Sequence, residues 1–413
     1  MSIFLELTKW QGSAFCGPVM TKLLIITTNF PRWPGDPHSP WLVELLGLLR
    51  QQGFTVAALA PAFRGQGSHE IYQMHVQRFR YAPARWETLT HEEGAPNKIR
   101  RNPLYLLALP LYLISGVCAA WRMGRRRYDV IHVHWPMPQG LLGLVARWAG
   151  GGRLVTTFYG ADLVMSKRFP LARPFLRYFA GQCADVATIS SFTAREVVTV
   201  TGVTPRIIPY GIVLPTVAAR WPTERGLILT VGRLVARKGH IFLVEAMALL
   251  KQRPAARLVI VGEGHERPQI QAAIRRLDLA DRVELMGRIS DERLNELYAA
   301  CHIFVLPAIV DSTGDTEMLG MVSLEAMRYR KPVVATQVGG ISDIVTDEET
   351  GLLVSQRDPA ALAAAIDRLL GDDALTERLG QAGYDFARQH FGWPAVVQQT
   401  LALYGRPDTN GSD

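Results

Sequence analysis

Short, almost unbroken apolar runs alternate with helical stretches, and the alternation occurs twice along the chain. No other feature limits the fold so strongly. In the first half KLLIITT (22–28), FTVAALAP (54–61), DVIHVH (129–134), RLVTTF (153–158) and DVATIS (185–190) read as strands. In the second half GLILTVG (226–232), ARLVIVG (256–262), RVELMG (282–287), HIFVLP (302–307) and PVVAT (332–336) do the same. Strands without polar alternation are buried on both faces, which requires a parallel sheet covered by helices. Helices are expected over Pro40–Gln52, stopped by Gly53, and over Gly239–Lys251 and Glu266–Leu277. A chain of 413 residues exceeds one ordinary core and suits two domains. The Pro- and Gly-containing stretch Pro209–Pro222 reads as the linker, dividing a first domain, 20–214, from a second, 215–390. Two doubly wound units with a crevice at their strand C-termini make a natural ligand site.

Composition narrows the class. Four cysteines, Cys16, Cys118, Cys183 and Cys301, stand far apart, so neither a disulfide framework nor a zinc site is expected, and a cytoplasmic setting is. Residues 1–214 carry 23 Lys and Arg against 11 Asp and Glu, whereas 215–413 carry 22 against 26. The basic first half suits anionic lipid head groups or an acidic acceptor. No aromatic-and-basic motif supports nucleic acid as a partner. The opening MSIFLELTKWQGSAFCGPV is broken by Glu6 and Lys9 and is not a secretory signal, so 1–19 reads as an extension before a domain that starts at Met20.

Leu104–Trp121 holds eighteen residues without a charge, between Arg100 and Arg101 on one side and Arg122, Arg125, Arg126 and Arg127 on the other. Its length fits a membrane span. The strands before and after it read as one sheet, however, which a span would split across a bilayer. Two readings remain: a helix on an anionic membrane surface, with the protein peripheral on the cytoplasmic face, or an apolar helix packed on the sheet.

Two segments carry chemistry. In TVGRLVARKG (230–239) a buried strand runs into a glycine turn, with Arg233 and Lys238 before a helix. Gly232 lets the backbone approach a ligand, Arg233 offers a planar fork to phosphate, and Lys238 a mobile point charge. In GDTEMLGMVSLEAM (314–327), Glu317 lies in a loop and Glu325 in the first turns of a helix. Glu325 suits a ribose diol, Gly320, Met321 and Val322 can present N–H groups to phosphate, and Glu317 would face the sugar. His132 and His134 share a strand face, but no third ligand or Asp-x-Asp pair makes a metal site, so they read as hydrogen-bonded cleft residues.

The basic GRL-x-x-x-KG turn, VGEG at 261–264 and the glutamate pair within VSLEAM…KPVVAT…GG resemble glycosyltransferase family 4. FPRWPGDPHSPWLVELLGLLRQQGFTVAALAP is similar to the family's opening loop, helix and second strand, and HVHWPMPQGL to a cleft-facing strand end. The resemblance implies a GT-B fold, two Rossmann-like domains facing across a cleft. It implies a retaining, metal-independent transferase without a cofactor, moving a hexose-type sugar from a nucleotide-diphosphate donor to a glycan or lipid-linked acceptor. It places Gly35, Gly232, Arg233, Lys238, Gly264, Ile289, Glu317, Gly320, Met321, Val322 and Glu325 on the donor side, with Glu317, Arg233 and Lys238 in catalysis. The base would be read by backbone near Arg288 and Ile289. His134, Tyr159 and Asp162 become acceptor-side candidates. Residues 391–404 resemble a terminal helix that returns to the first domain.

Three positions depart from the family pattern. Tyr159 stands where a histidine is common, Met318 follows the first glutamate where glycine is common, and Val213 replaces an acid at the domain junction. A non-catalytic nucleotide-sugar-binding partner and a nucleotide-sugar isomerase of the same architecture are the alternative readings.

Overall fold

The structure is a computed structural model that describes residues 20–36, 39–91, 98–99, 101–169, 171–214 and 224–406. The extension 1–19, the polar end 407–413 and most of the linker lie outside the described residues. Within them the chain forms two compact units. Unit 1 takes residues 20–189, 194–208 and 397–406, and unit 2 takes 190–193 and 209–396.

Unit 1 is built on an eight-stranded sheet. Its strands are β1 (Thr21–Ile26), β2 (Phe54–Pro61), β3 (His69–Ile71), β4 (Met74–Phe79), β5 (Val130–His134), β6 (Arg153–Phe158), β7 (Asp185–Thr188) and β8 (Arg206–Ile207), in the order β3-β4-β2-β1-β5-β6-β7-β8. All pairs are parallel except β3 with β4. In the β1–β2–β5 centre, Leu24 stands opposite Ala57 and Ile131. The strand order reverses between β1 and β5, so the crevice of a doubly wound sheet falls at their C-terminal ends.

Helices α1 (Pro40–Gln51), α2 (Ala108–Gly124), α3 (Pro136–Gly150), α4 (Ala161–Arg168) and α5 (Ala172–Gln182) serve unit 1. α2 continues a 3-10 turn, Pro103–Leu107. Its inner face belongs to the core: Tyr112 is fully buried, lies edge-on to Phe79 and Tyr81 at 5.1 Å, and takes a 2.7 Å hydrogen bond from Gln139 of α3. α2 and α3 touch through small residues. A Cβ on Gly124 would lie 2.2 Å from the Ala146 carbonyl oxygen, and one on Gly150 would lie 1.8 Å from that of Gly124. Both β4 and β5, which flank α2, lie in the one sheet. The uncharged stretch is thus a helix of unit 1 whose inner face packs in the core and whose flanking strands share one sheet.

Unit 2 carries six parallel strands: β9 (Leu227–Val231), β10 (Arg257–Val261), β11 (Val283–Gly287), β12 (Ile303–Leu306), β13 (Val333–Thr336) and β14 (Leu352–Val354), ordered β11-β10-β9-β12-β13-β14. Its reversal lies between β9 and β12. Ile228, Leu258, Ile260 and Val305 pack against Leu243 and Met247 in the core, all fully buried. Each such side chain is worth roughly 1.5–3 kcal/mol of transfer free energy. α6 (His240–Leu249), α7 (Arg267–Arg276), α8 (Asp291–Ala300) and α9 (Met321–Met327) follow the first four strands. The helices expected over 239–251 and 266–277 are one or two residues shorter at each end, as fraying ends usually are.

Candidate active site

The turn after β9 is packed backbone against backbone. A Cβ on Gly262 would fall 1.9 Å from the Gly232 carbonyl oxygen, and one on Gly264 would fall 2.1 Å from that of Leu234. Glycine is therefore required in VGEG for the GRL turn to lie on it. A 3-10 turn, Ala236–Lys238, then delivers Gly239 in the left-handed region at φ 64°, against the Pro307 carbonyl oxygen beyond β12. The ends of β9 and β12 are clamped together, and Lys238 is held between them with only 7% of its surface exposed.

A charge buried to that degree needs a partner. Lys238 Nζ lies 2.5 Å from Glu317 Oε2, and Arg237 Nη1 lies 2.9 Å from the same oxygen. Arg237 also reaches Asp315, at 3.5 Å. Burial pushes the Glu317 carboxyl upward, but the two cations prevail and hold it below its ordinary value. Glu317 is thus ionised, and three groups from two loops form one ion cluster.

The other glutamate is treated differently. Gly320, at φ 93°, opens α9, and Glu325 lies in its second turn. Glu325 accepts a 2.7 Å hydrogen bond from the hydroxyl of Tyr298, a buried residue of α8. Burial outweighs that bond and the pull of Arg328 and Lys238, so the Glu325 carboxyl sits above its usual value. Both glutamates feel Lys238. Met321 and Val322 supply amides of the kind that a helix start leaves without an intrahelical acceptor. Nearby, the hydroxyls of Thr316 and Ser323 are buried without a hydrogen-bond partner. Two cations, buried hydroxyls and the amides of a helix start suit a ligand rich in anionic oxygen. Arg233 sits exposed on the same turn, outside the ion cluster, and Ile289 is half-buried just past β11. Donor-side positions 232, 233, 238, 264, 289, 317, 320, 321, 322 and 325 all belong to unit 2.

Gly35 belongs to unit 1. It is left-handed at φ 82°, and its N–H donates to the Tyr72 hydroxyl at 2.9 Å. At the ends of β5 and β6, His134 Nδ1 lies 2.7 Å from the Tyr159 hydroxyl, with the two rings stacked. Burial and the neighbouring His132 keep His134 well below its ordinary pKa, hence neutral. His132 spends both ring nitrogens, on Tyr404 and on Thr157, each at 2.8 Å, so it has none left for a metal. Trp41 and Trp135 pack on Tyr159 with centroids 5.3 and 4.5 Å away. Trp135 adopts φ 56°, a left-handed conformation strained for so bulky a residue. Asp162 Oδ1 accepts from the Met137 amide at 3.0 Å, and Oδ2 is buried without a partner of ordinary geometry. Desolvation raises the Asp162 carboxyl to about 7 against the pull of main-chain amides.

Known proteins resemble this chain in sequence and in fold. A family profile, Glycosyl transferases group 1, matches residues 217–386, and a second, Glycosyltransferase Family 4, matches 41–214. A D-inositol 3-phosphate glycosyltransferase of Acidothermus cellulolyticus is 33% identical over 340 residues, 73% of each chain. The chain belongs to glycosyltransferase family 4. This glycosyltransferase is also 29% identical, over 90% of its length and 95% of the relative's, to a GDP-mannose-dependent alpha-(1-6)-phosphatidylinositol monomannoside mannosyltransferase of Mycolicibacterium smegmatis. Among solved structures, sucrose-phosphate synthase of Thermosynechococcus elongatus matches with a TM-score of 0.73 at 25% identity, covering 94% of this chain and 98% of that one. The Anabaena protein Alr3699/HepE with UDP matches at 0.69 and 18% identity, over 93% and 100%, and shows the fold alone. The two parallel-sheet domains are those of GT-B transferases, and the protein is an enzyme of that type acting on a nucleotide-sugar donor.

The site also contains residues that the sequence did not advertise. Arg237, beside Lys238, carries no signal of its own in the sequence, yet it completes the ion cluster. Tyr298 touches Glu325 across 27 residues of chain, and only the lone aromatic on the buried stripe of α8 hints at it. Met318 follows Glu317 in a loop whose carbonyl packs against Gly340: a Cβ there would lie 2.1 Å from the Met318 oxygen.

Proposed function

We propose that this glycosyltransferase moves a hexose-type sugar, with retention of anomeric configuration, from a nucleotide diphosphate to a lipid-linked or glycan acceptor in surface polysaccharide or glycolipid synthesis. The observation that carries the reading is the part-buried Lys238–Glu317–Arg237 cluster at the reversal point of unit 2, beside Glu325. As the bond from the anomeric carbon to phosphate lengthens, negative charge grows on the leaving diphosphate. Cations already in place stabilise that charge more than the ground state, without reorganisation. Lys238, Arg237 and Arg233 take this role. Glu317 shapes the field at the sugar, and Glu325 accepts from the ribose diol. Charge stabilisation by these side chains makes a metal unnecessary. Unit 1 supplies acceptor contacts from His134, Tyr159 and Asp162. Relatives named for phosphatidylinositol mannosides support an acceptor with a lipid tail, and such an acceptor fits an enzyme working at the cytoplasmic face of a membrane.

A donor panel including GDP-mannose and UDP-glucose, with phosphatidylinositol mannoside and other acceptors, tests this by nucleoside-diphosphate release. Acceptor-dependent release, unaffected by chelator, with an axial product anomer by NMR, is expected. Epimerised donor without acceptor would establish the isomerase instead. Glu325→Ala and Lys238→Ala turning over like the parent would remove the site from the reaction.

A further inference from the structure

The outer face of α2 has no role in the chemistry above. Leu104, Leu107, Leu111, Ile114, Cys118 and Trp121 recur at alternating steps of three and four, one stripe of a helix, and all six are exposed. Leu107 is 72% and Ile114 61% exposed. The opposite face of the same helix is locked in the unit 1 core through Tyr112, Ala119, Ala120 and Met123. The helix is therefore pinned on one side and bare along the other.

The charges at its ends select what covers it. Arg101 precedes the stripe, Arg122, Arg125, Arg126 and Arg127 follow it, and all are exposed. No Asp or Glu occurs between 98 and 128. A second copy laid on this stripe, parallel or antiparallel, would set arginine against arginine. An anionic bilayer meets both ends with opposite charge and the middle with acyl chain. On α3, which crosses α2 at Gly124, Trp148 is likewise exposed, an amphipathic ring suited to the head-group level.

We propose that the outer face of α2 is a docking surface for an anionic lipid bilayer, the helix lying in the plane of the interface with Leu107, Leu111 and Ile114 inserted. The idea builds on the lipid-linked acceptor proposed above: it names the surface that brings the enzyme to such an acceptor.

The full-length protein is floated with vesicles of phosphatidylcholine alone and of equal parts phosphatidylcholine and phosphatidylglycerol, without donor or acceptor. Binding to the mixed vesicles, weakened by salt, is expected. Leu107→Glu with Leu111→Glu, at surface positions where folding is not at stake, should weaken it by more than about tenfold. Arg125→Glu with Arg126→Glu should weaken binding to the mixed vesicles by on the order of fivefold per arginine removed, and leave the phosphatidylcholine baseline unmoved. Parent protein that ignores phosphatidylglycerol, or leucine variants that bind as the parent does, would overturn the proposal. So would a solution dimer, seen by light scattering, that the leucine variants dissolve. Lys238→Ala separates the two ideas: it should slow transfer by about a hundredfold or more yet float undiminished, and a protein that floats but never transfers refutes the activity, not the surface.

Discussion

Both units arrange their strands around the same reversal, β4-β2-β1-β5-β6-β7 in one and β11-β10-β9-β12-β13-β14 in the other. What gathers at the strand ends could hardly differ more. Unit 2 concentrates formal charge: Lys238, Arg237 and Glu317 in contact, with Glu325 close enough to feel the ammonium. Unit 1 concentrates neutral rings: His134, Tyr159, Trp41 and Trp135, around a carboxyl that desolvation lifts to about 7. Topology supplies a place for a ligand, and the side chains at its rim decide which chemistry occupies it.

The contrast can be broken, and its hardest test has the largest effect. Lys238→Ala should lower kcat by roughly 10²–10³, the usual cost of losing one preorganised charge in a transition state. If it costs no more than a ring substitution in unit 1, the division of labour is wrong. Glu325→Ala should raise the donor KM by about tenfold or more, as expected for lost hydrogen bonds to a charged acceptor, with acceptor KM unchanged. Tyr298→Phe should show a weaker form of the same pattern; a fall in kcat alone would mean that Tyr298 only supports the fold. Tyr159→Phe removes one neutral hydrogen bond to His134 and should change acceptor KM by about fivefold, with donor KM steady.

The smallest effect concerns stability. Asp162 has an ordinary carboxyl value of 3.8, raised to about 7 in the folded unit. Between those values the folded chain holds a proton that the unfolded chain has released. This contribution is full below pH 3.8 and is lost as pH rises to about 7. Asp162→Asn lacks that dependence. The melting temperature of the variant relative to the parent should therefore climb by a few degrees from pH 4 to 7 and then level off. A constant difference would show that Asp162 is already ionised in the fold.

How much of this was legible depends on how local each cause is. The strands lie where apolar runs predict them, because burial on both faces leaves a mark in every residue of the run. The β3–β4 hairpin was missed. Its two-residue turn, Tyr72 and Gln73, takes φ 50° and 58° without the Gly or Asn that usually signals such a turn. The helix at 104–121 was readable as apolar, but not which side was buried, since its composition is nearly uniform around the circumference and only packing against Phe79 and Gln139 chooses the inner face. Within the site, Lys238 and the glutamates stand out by spacing. Arg237 and Tyr298 do not, because their partners lie 80 and 27 residues away. The aromatic surroundings of Tyr159 come from two segments distant from it in the chain, Trp41 and the adjacent His134 and Trp135, which no linear pattern joins.

The Lys238–Glu317 contact has a consequence for what can enter. The carboxylate takes one side of the ammonium and leaves further N–H donors of Lys238 and Arg237 for an arriving ligand. A group carrying one diffuse charge engages few of them, whereas one with several adjacent anionic oxygens can engage lysine and arginine together while Glu317 stays in place. Such a pocket favours high charge density before any sugar is recognised.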